Sequence, residues 1–208
     1  QIGIIREPKA VIVDTEFLST LSPREMRSGL AEMLKHGLIF DKNYWDKFKN
    51  LKDLSTEDLN ELIHQSIQIK NTIVCEDLTE NGIRKALNFG HTLGHGIESY
   101  FLENENKTSL LHGEAIAVGM ILESYISKEK GWLTNEEYHE IKYIINDIFE
   151  RIEFNENDIN QIIELLIYDK KNEFGKVQFA LLEGIGKIKI NQEADNELIF
   201  KAFEDYAV

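Results

Sequence analysis

Cysteine occurs once in this chain of 208 residues, at Cys75, so no internal disulfide can form, and the usage fits a reducing cytoplasm. There are two prolines, Pro8 and Pro23, and no low-complexity linker, which argues against a string of small modules. No run of about 18 apolar residues is present, so no segment reads as a membrane span. Positive charge is scarce: 23 Lys and Arg stand against 37 Asp and Glu, a net charge of -14. That balance offers no basic face to nucleic acid or to an anionic membrane. Also missing are a Gly-x-Gly-x-x-Gly after a strand and any β-α-β alternation long enough for a parallel sheet. Nothing in the chain therefore builds a dinucleotide-binding fold. The opening Gln-Ile-Gly-Ile-Ile-Arg-Glu-Pro is no signal peptide, and without Met it reads as the continuation of a longer chain.

What is present is a helical pattern with enough apolar material, 42% hydrophobic and 10% aromatic, to bury a substantial core. Ala10 to Val13 reads as a short buried strand. Ser22-Pro-Arg-Glu25 combines an N-cap, a proline at the first helical position and a glutamate at the third, opening a helix expected to reach about Ile39. Helical spacing of apolar residues predicts further helices over about 57–74, 85–103, 111–129, 135–149 and 156–170, with a last one over 193–206. Val177 to Ile190 alternates instead and carries Gly184 and Gly186 between its halves, as a hairpin does. The expected fold is mainly α with one small β-hairpin. Among isolated polar residues, His36 reads as structural, His64 and His139 as exposed, Cys75 as a small buried hydrophobe and Glu114 as a helix cap.

The chemistry concentrates in Arg84-Lys-Ala-Leu-Asn-Phe-Gly-His-Thr-Leu-Gly-His-Gly-Ile-Glu98. Arg84, Asn88, His91, His95 and Glu98 fall at offsets 0, 4, 7, 11 and 14, one narrow stripe if the whole segment is α-helical. Such a stripe normally turns toward the core and is apolar. Here it carries a cation, an amide, two imidazoles and a carboxylate, which points to a helix lining a wet cleft. His91 and His95, one turn apart, have the spacing of a zinc-binding pair, though an isolated pair is more often hydrogen-bonded structural histidine. A third histidine, His112, opens a strongly apolar helix. Glu32 lies in another, Gly-Leu-Ala-Glu-Met-Leu-Lys, with Lys35 on the same face among Met33, Leu34 and Leu38. Buried charges are rare unless paired or bound to metal. A mixed set of carboxylate and imidazole suits a catalytic divalent cation.

Three segments, Gly29-Leu-Ala-Glu-Met-Leu-Lys35, Asn88-Phe-Gly-His-Thr-Leu-Gly-His95 and His112-Gly-Glu-Ala-Ile-Ala-Val-Gly-Met120, resemble the 3-dehydroquinate synthase family of sugar-phosphate cyclases in the shikimate pathway. The resemblance spans residues 1–208 but matches only the family's C-terminal, metal-binding domain. It implies an N-terminal NAD-binding domain upstream of Gln1. It also implies zinc, or cobalt, bound by Glu32, His91 and His112, with His95 as a proton-transfer residue; spacing alone leaves either role open to His95. Lys35, Lys70, Arg84 and Asn88 match positions that grip the substrate, three of them (Lys35, Arg84, Asn88) also counted in catalysis. Glu80 matches a proton-relay acid, and one of Lys170 and Lys171 a phosphate contact. Phe17, Leu18 and Thr20 resemble a Phe-Leu-Glu-Thr turn that touches the nucleotide, with Ser19 in place of glutamate.

The implied reaction is a lyase reaction. It converts 3-deoxy-arabino-heptulosonate 7-phosphate to 3-dehydroquinate and phosphate, with NAD consumed and regenerated. The lysines and Arg84 would gather the phosphorylated sugar acid against the chain's overall negative charge. Three rivals stand beside this reading: another sugar-phosphate cyclase, an alcohol dehydrogenase-like enzyme, and a domain that binds zinc but does no chemistry alone. The dehydrogenases usually bind metal through an aspartate and three histidines, so Glu32 with Lys35 argues against them. The chain alone is expected to be inactive, and the apolar surface such a half-enzyme presents favours self-association, with a homodimer as the expected state.

Overall fold

The computed structural model describes residues 8–53, 56–168 and 177–208. The elements are α1 (Pro23–Phe40), α2 (Lys42–Asp46), α3 (Thr56–Glu76), α4 (His91–Glu103), α5 (His112–Glu129), α6 (Asn135–Ile148), α7 (Glu156–Tyr168), β1 (Phe179–Gly184), β2 (Lys187–Gln192) and α8 (Asn196–Tyr206). Three 3₁₀ segments, Thr15–Thr20, Lys47–Asp53 and Ile83–Asn88, punctuate the helices. The mainly α architecture with one hairpin is as the sequence predicts. Among the described residues no helix is long and apolar enough to cross a membrane.

The centre of the fold is α5. Ala115, Ile116, Met120, Ile121, Leu122 and Ile126 are all buried, together covering every side of the helix. A helix apolar all round must be enclosed by others, and α1, α4, α6, α8 and β1 pack around this one. Two glycines let its neighbours come close. A Cβ on Gly113 would lie 2.0 Å from the Ser28 carbonyl oxygen in α1, and one on Gly119 would lie 2.0 Å from the Gly90 carbonyl oxygen before α4. Gly113 N–H also donates to Ser28 Oγ at 2.9 Å. Backbone contact at both places draws α1 and the start of α4 against α5.

α1 starts with the reciprocal cap expected from the sequence: Ser22 Oγ accepts from Glu25 N–H at 3.3 Å, and Glu25 Oε2 accepts from Ser22 N–H at 3.1 Å. The hairpin pairs β1 and β2 antiparallel, Leu182 opposite Ile188. Its turn docks on the end of α1, where Gly186 N–H donates to Leu38 O at 2.7 Å. Glu114 caps α5 through Leu111 N–H at 2.8 Å and receives both Arg24 nitrogens at 2.6 Å, tying the start of α1 to the turn before His112. His64 and His139 are exposed, as expected.

Three expectations need correction. Ala10 to Val13 forms no strand: Val11 is 75% and Ile12 92% exposed. A β-branched run becomes a strand only against a partner edge, and the sheet among the described residues contains β1 and β2 alone. The helix expected over 85–103 is two pieces, a 3₁₀ segment ending at Asn88 and α4 starting at His91, because Gly90 sits between them at φ 76°. Cys75 is exposed near the end of α3, not buried. The stretch from Lys42 to Asp53, for which no element is expected above, buries Tyr44, Trp45 and Phe48 in two short helical segments. Lys170 and Lys171 lie outside the described residues.

His36 proves structural. It is 3% exposed, and its Nδ1 lies 2.7 Å from Ser66 Oγ. Burial, helped by the neighbouring Lys35 ammonium, pushes the ring down to about 4.

Two expectations for stability follow from these contacts. Gly119→Ala forces a methyl into backbone rather than into a yielding side chain. It should destabilise the chain by about 3 kcal/mol or more, read from urea unfolding; a loss under about 1 kcal/mol would show that the crossing is not tight. For His36 the ring is neutral in the fold but free to protonate once unfolded. Its contribution is intact above pH 6.5 and is lost as pH falls from 6.5 toward 4. At about 1.36 kcal/mol per pH unit that is about 3 kcal/mol. Between pH 7 and pH 4 the native chain should therefore lose about that much more stability than His36→Gln. Parallel pH profiles for the two proteins would refute the assignment.

Candidate metal centre

Three helices deliver the polar side chains to one point. α4 begins with His91 and presents His95 one turn later, α5 begins with His112, and α1 contributes Glu32 from its middle. The ring centroids are 5.2 Å apart for His91 and His95, 5.4 Å for His91 and His112, and 5.7 Å for His95 and His112. One ring nitrogen from each lies within 4.8 Å of the others. Glu32 Oε1 is 3.3 Å from His91 Nε2 and 3.8 Å from His112 Nε2.

The hydrogen bonds behind these groups decide what they can hold. His91 Nδ1 donates to the Phe89 carbonyl at 3.1 Å, and a carbonyl only accepts, so the proton is on Nδ1 and the Nε2 lone pair is free to coordinate. His112 Nδ1 lies 3.1 Å from Glu98 Oε2, which fixes the same tautomer and leaves its Nε2 toward Glu32. Glu32 Oε2 receives Lys35 Nζ at 2.6 Å. Glu32 Oε1, by contrast, is buried and receives no hydrogen bond. A buried carboxylate oxygen without a donor is costly. An oxygen of this kind facing two imidazole lone pairs is the donor set of a divalent cation. Atoms about 2.0–2.1 Å from a tetrahedral zinc stand roughly 3.3–3.4 Å from one another, close to the spacing of Glu32 Oε1 and His91 Nε2.

Charge is arranged to match. Burial works against the Glu32 carboxylate, but its partners, the Lys35 ammonium at 2.6 Å among them, outweigh it and hold the group well below the usual carboxylate range. Lys35 is 2% exposed; burial lowers its affinity for a proton, and Glu32 opposes that. Lys70, exposed on α3, is near enough for its charge to bear on Lys35.

The segment leading into His91 carries the other expected residues. Asp77 gathers the backbone N–H groups of Gly82 at 2.7 Å, Arg84 at 3.1 Å and Asn81 at 3.3 Å, folding the loop on itself. Glu80 sits inside that loop at φ 59°, a left-handed conformation that a non-glycine residue keeps only when its surroundings impose it. Its Oε1 accepts from Asn88 Nδ2 at 2.9 Å. Arg84 donates through Nη1 to Leu78 O at 3.0 Å. The structure thus brings Glu32, Lys35, His91, His95 and His112 together and joins Glu80 to Asn88 beside them. Phe17, Leu18 and Thr20 lie apart, on the 3₁₀ segment before α1, with Phe17 71% exposed.

Two carboxylates were missed as parts of the site. Glu98 was read in the stripe but not as the partner of His112. Glu123 was not singled out at all, although a glutamate in the most apolar helix of the chain is a visible signal. It is fully buried, and its oxygens accept from Gly90 N–H at 2.7 Å and Leu93 N–H at 3.1 Å. Burial pushes its carboxyl up to about 8 against the pull of those amides.

Comparisons with known proteins place the chain among its relatives. A family model described as 3-dehydroquinate synthase C-terminal matches residues 29–172. The chain is 39% identical to the 3-dehydroquinate synthase of Parabacteroides distasonis over 99% of its own length and 58% of that protein. It is 41% identical to that of Listeria monocytogenes over 98% of its length and 55% of that protein. It therefore spans little more than half the length of these curated relatives. A solved 2-deoxy-scyllo-inosose synthase, complexed with carbaglucose-6-phosphate, NAD+ and Co2+, superposes with a TM-score of 0.72 at 26% identity, covering 92% of this chain and 55% of that one. A 2-epi-5-epi-valiolone synthase from Streptomyces hygroscopicus, with NAD+ and Zn2+ bound, has the same fold, with a TM-score of 0.75 at 24% identity over 93% of this chain and 54% of that one. On its motifs, its fold and its relatives, the chain belongs to the 3-dehydroquinate synthase C-terminal family.

Proposed function

We propose that this chain is the metal- and substrate-binding half of a 3-dehydroquinate synthase. The whole polypeptide would convert 3-deoxy-arabino-heptulosonate 7-phosphate to 3-dehydroquinate and phosphate, with NAD held mainly by a domain preceding this one. The observation that carries the reading is the orphaned Glu32 Oε1 facing the free nitrogens of His91 and His112, inside a chain of this family. These three residues would hold zinc or cobalt. When bound, such a cation lowers the pKa of a coordinated hydroxyl and polarises a carbonyl; NAD supplies a reversible hydride acceptor.

The chain's own residues do the rest. Lys35 is held in place by Glu32 and offers a buried cation to an anionic substrate. Lys70 and Arg84 add charge at the rim, and Asn88 adds a directed amide. These groups bind and orient a phosphorylated sugar acid despite the net charge of -14. His95, one turn from His91, moves protons at the reacting centre. Glu80, hydrogen-bonded to Asn88, serves as a second proton-handling group. Lys170 or Lys171 reaches the phosphate, and Phe17, Leu18 and Thr20 give this half's contribution to the nucleotide site. The second reading, another sugar-phosphate cyclase, is supported by the likeness to the solved 2-deoxy-scyllo-inosose synthase.

Three proteins test the proposal: this chain, the extended polypeptide, and the extended polypeptide carrying single substitutions. With zinc, NAD and the heptulosonate phosphate, only the extended form should turn over. Turnover of a different sugar phosphate instead would establish the second reading. Glu32→Ala and His112→Ala should lose metal. His95→Ala should keep its metal and lose activity by about 100-fold or more, the usual contribution of a proton-transfer residue. Full metal occupancy in His112→Ala, or metal loss in His95→Ala, would overturn the ligand assignment.

A further inference from the structure

We propose that Glu123 is a positioning residue of the metal centre, acting on His91 through the single peptide group between Phe89 and Gly90. The inference rests on His91 being a ligand, as above. The Gly90 N–H and the Phe89 carbonyl belong to one peptide unit. Its N–H donates to Glu123 Oε2 at 2.7 Å, and its oxygen accepts from His91 Nδ1 at 3.1 Å. The sequence of contacts is carboxylate, peptide, imidazole, with the coordinating Nε2 at the far end. A buried carboxyl oxygen that receives the N–H polarises the peptide and makes its carbonyl a stronger acceptor. That holds the His91 proton on Nδ1, fixes the ring's direction and raises the donor strength of Nε2. A second-sphere carboxylate bonded directly to a ligating histidine does the same.

Several features make this more than incidental packing. α4 has no side-chain cap of its own, because its N-cap is Gly90. The first N–H groups of a helix have no partner within it, and Glu123 supplies one from another helix by also receiving Leu93 N–H at 3.1 Å. Its acceptor oxygens suit the positive end of α4. For packing alone, an apolar side chain in the middle of α5 would avoid the cost of burying a carboxylate, but it could neither pin this peptide nor steer His91. His112 is served in the same way by the shorter route, its Nδ1 lying 3.1 Å from Glu98 Oε2. Both histidines that face Glu32 thus have a carboxylate behind them, one direct and one through a peptide.

The test uses metal-free protein and Co2+ or Zn2+ alone, titrated in competition with a chromophoric chelator. Glu123→Gln places an amide NH2 toward one of two backbone donors. It should weaken metal binding by about 10- to 100-fold, as loss of outer-sphere partners does, and shift the His91 ring away from the pure Nδ1–H tautomer in 15N NMR spectra. Ile199→Val, a core truncation in α8, should lower stability and leave metal affinity unchanged. If Glu123→Gln binds metal as the native chain does while His91→Ala binds poorly, the inference falls and the metal centre stands. If His91→Ala also binds normally, the metal reading fails and takes the inference with it. Should Glu123→Gln not fold, the native metal-free chain decides the matter. A His91 ring carrying its proton on Nδ1, with the Gly90 amide among the slowest to exchange, supports the relay; an Nε2–H ring or a rapidly exchanging Gly90 amide overturns it.

Discussion

Everything at the candidate metal centre depends on one backbone contact, the approach of Gly119 in α5 to the Gly90 carbonyl before α4. No side chain fits there, since a Cβ would stand 2.0 Å from that oxygen. The contact sets where α4 begins, and α4 begins with His91. It also sets the register between Glu123, one turn beyond Gly119 on α5, and the amides of Gly90 and Leu93. At the other end of α5, Gly113 meets Ser28 in the same manner, so His112 starts its helix against α1, one turn before Glu32. Packed interiors do not yield by tenths of an ångström without cost. Two close crossings along one rigid helix are therefore enough to place three ligand-bearing elements relative to one another.

This scaffold also answers how an acidic chain keeps so much polar chemistry in its interior. Glu32, Lys35, Glu98, Glu123 and three histidines meet at the junction of apolar helices. Each of these carboxyl and ammonium groups has a named counterpart: Lys35 on Glu32, Glu98 on His112, Glu123 on backbone amides. Glu32 Oε1 is the atom that no hydrogen bond satisfies. A buried oxygen without a donor, set between two imidazole nitrogens, is informative, because a half-satisfied polar cluster costs more than an apolar one.

The residues show where sequence reasoning reaches and where it stops. Ser22 and Glu25 announce a helix start because capping is local chemistry, complete within four residues. The hairpin around Ile185 is legible for the same reason. Gly90 is different. Arg84 and Asn88 are four apart, as on an α-helix, and nothing nearby forbids one continuous helix through His95. The break is imposed by Gly119, far along the chain, and by the φ of 76° that Gly90 adopts beneath it. Ala10 to Val13 has the composition of a strand but finds no partner among the described residues. Cys75 was read from its residue type alone, whereas its exposure is decided by which face of α3 it occupies. The site divides along the same line. His91, His95, His112 and Glu32 could be named from spacing, apolar context and family likeness. Spacing cannot tell a ligand from a neighbour one turn away, however. The distinction comes from what lies behind each ring, and Phe89 O and Glu98 are brought there by folding.

Because the candidate ligands come from α1, α4 and α5, metal binding and helix packing are linked. A cation that binds only when Glu32, His91 and His112 converge stabilises the state in which they converge, by RT ln(1 + [metal]/Kd). The reverse holds with equal force: whatever loosens the crossing at Gly119 or the clamp at Glu123 must weaken the metal by the free energy it removes from the converged state. The core of this domain cannot be separated from its candidate site: the helix that organises the packing also carries one candidate ligand, His112, bonds the backbone beside a second, His91, and packs against the element that bears the third, Glu32.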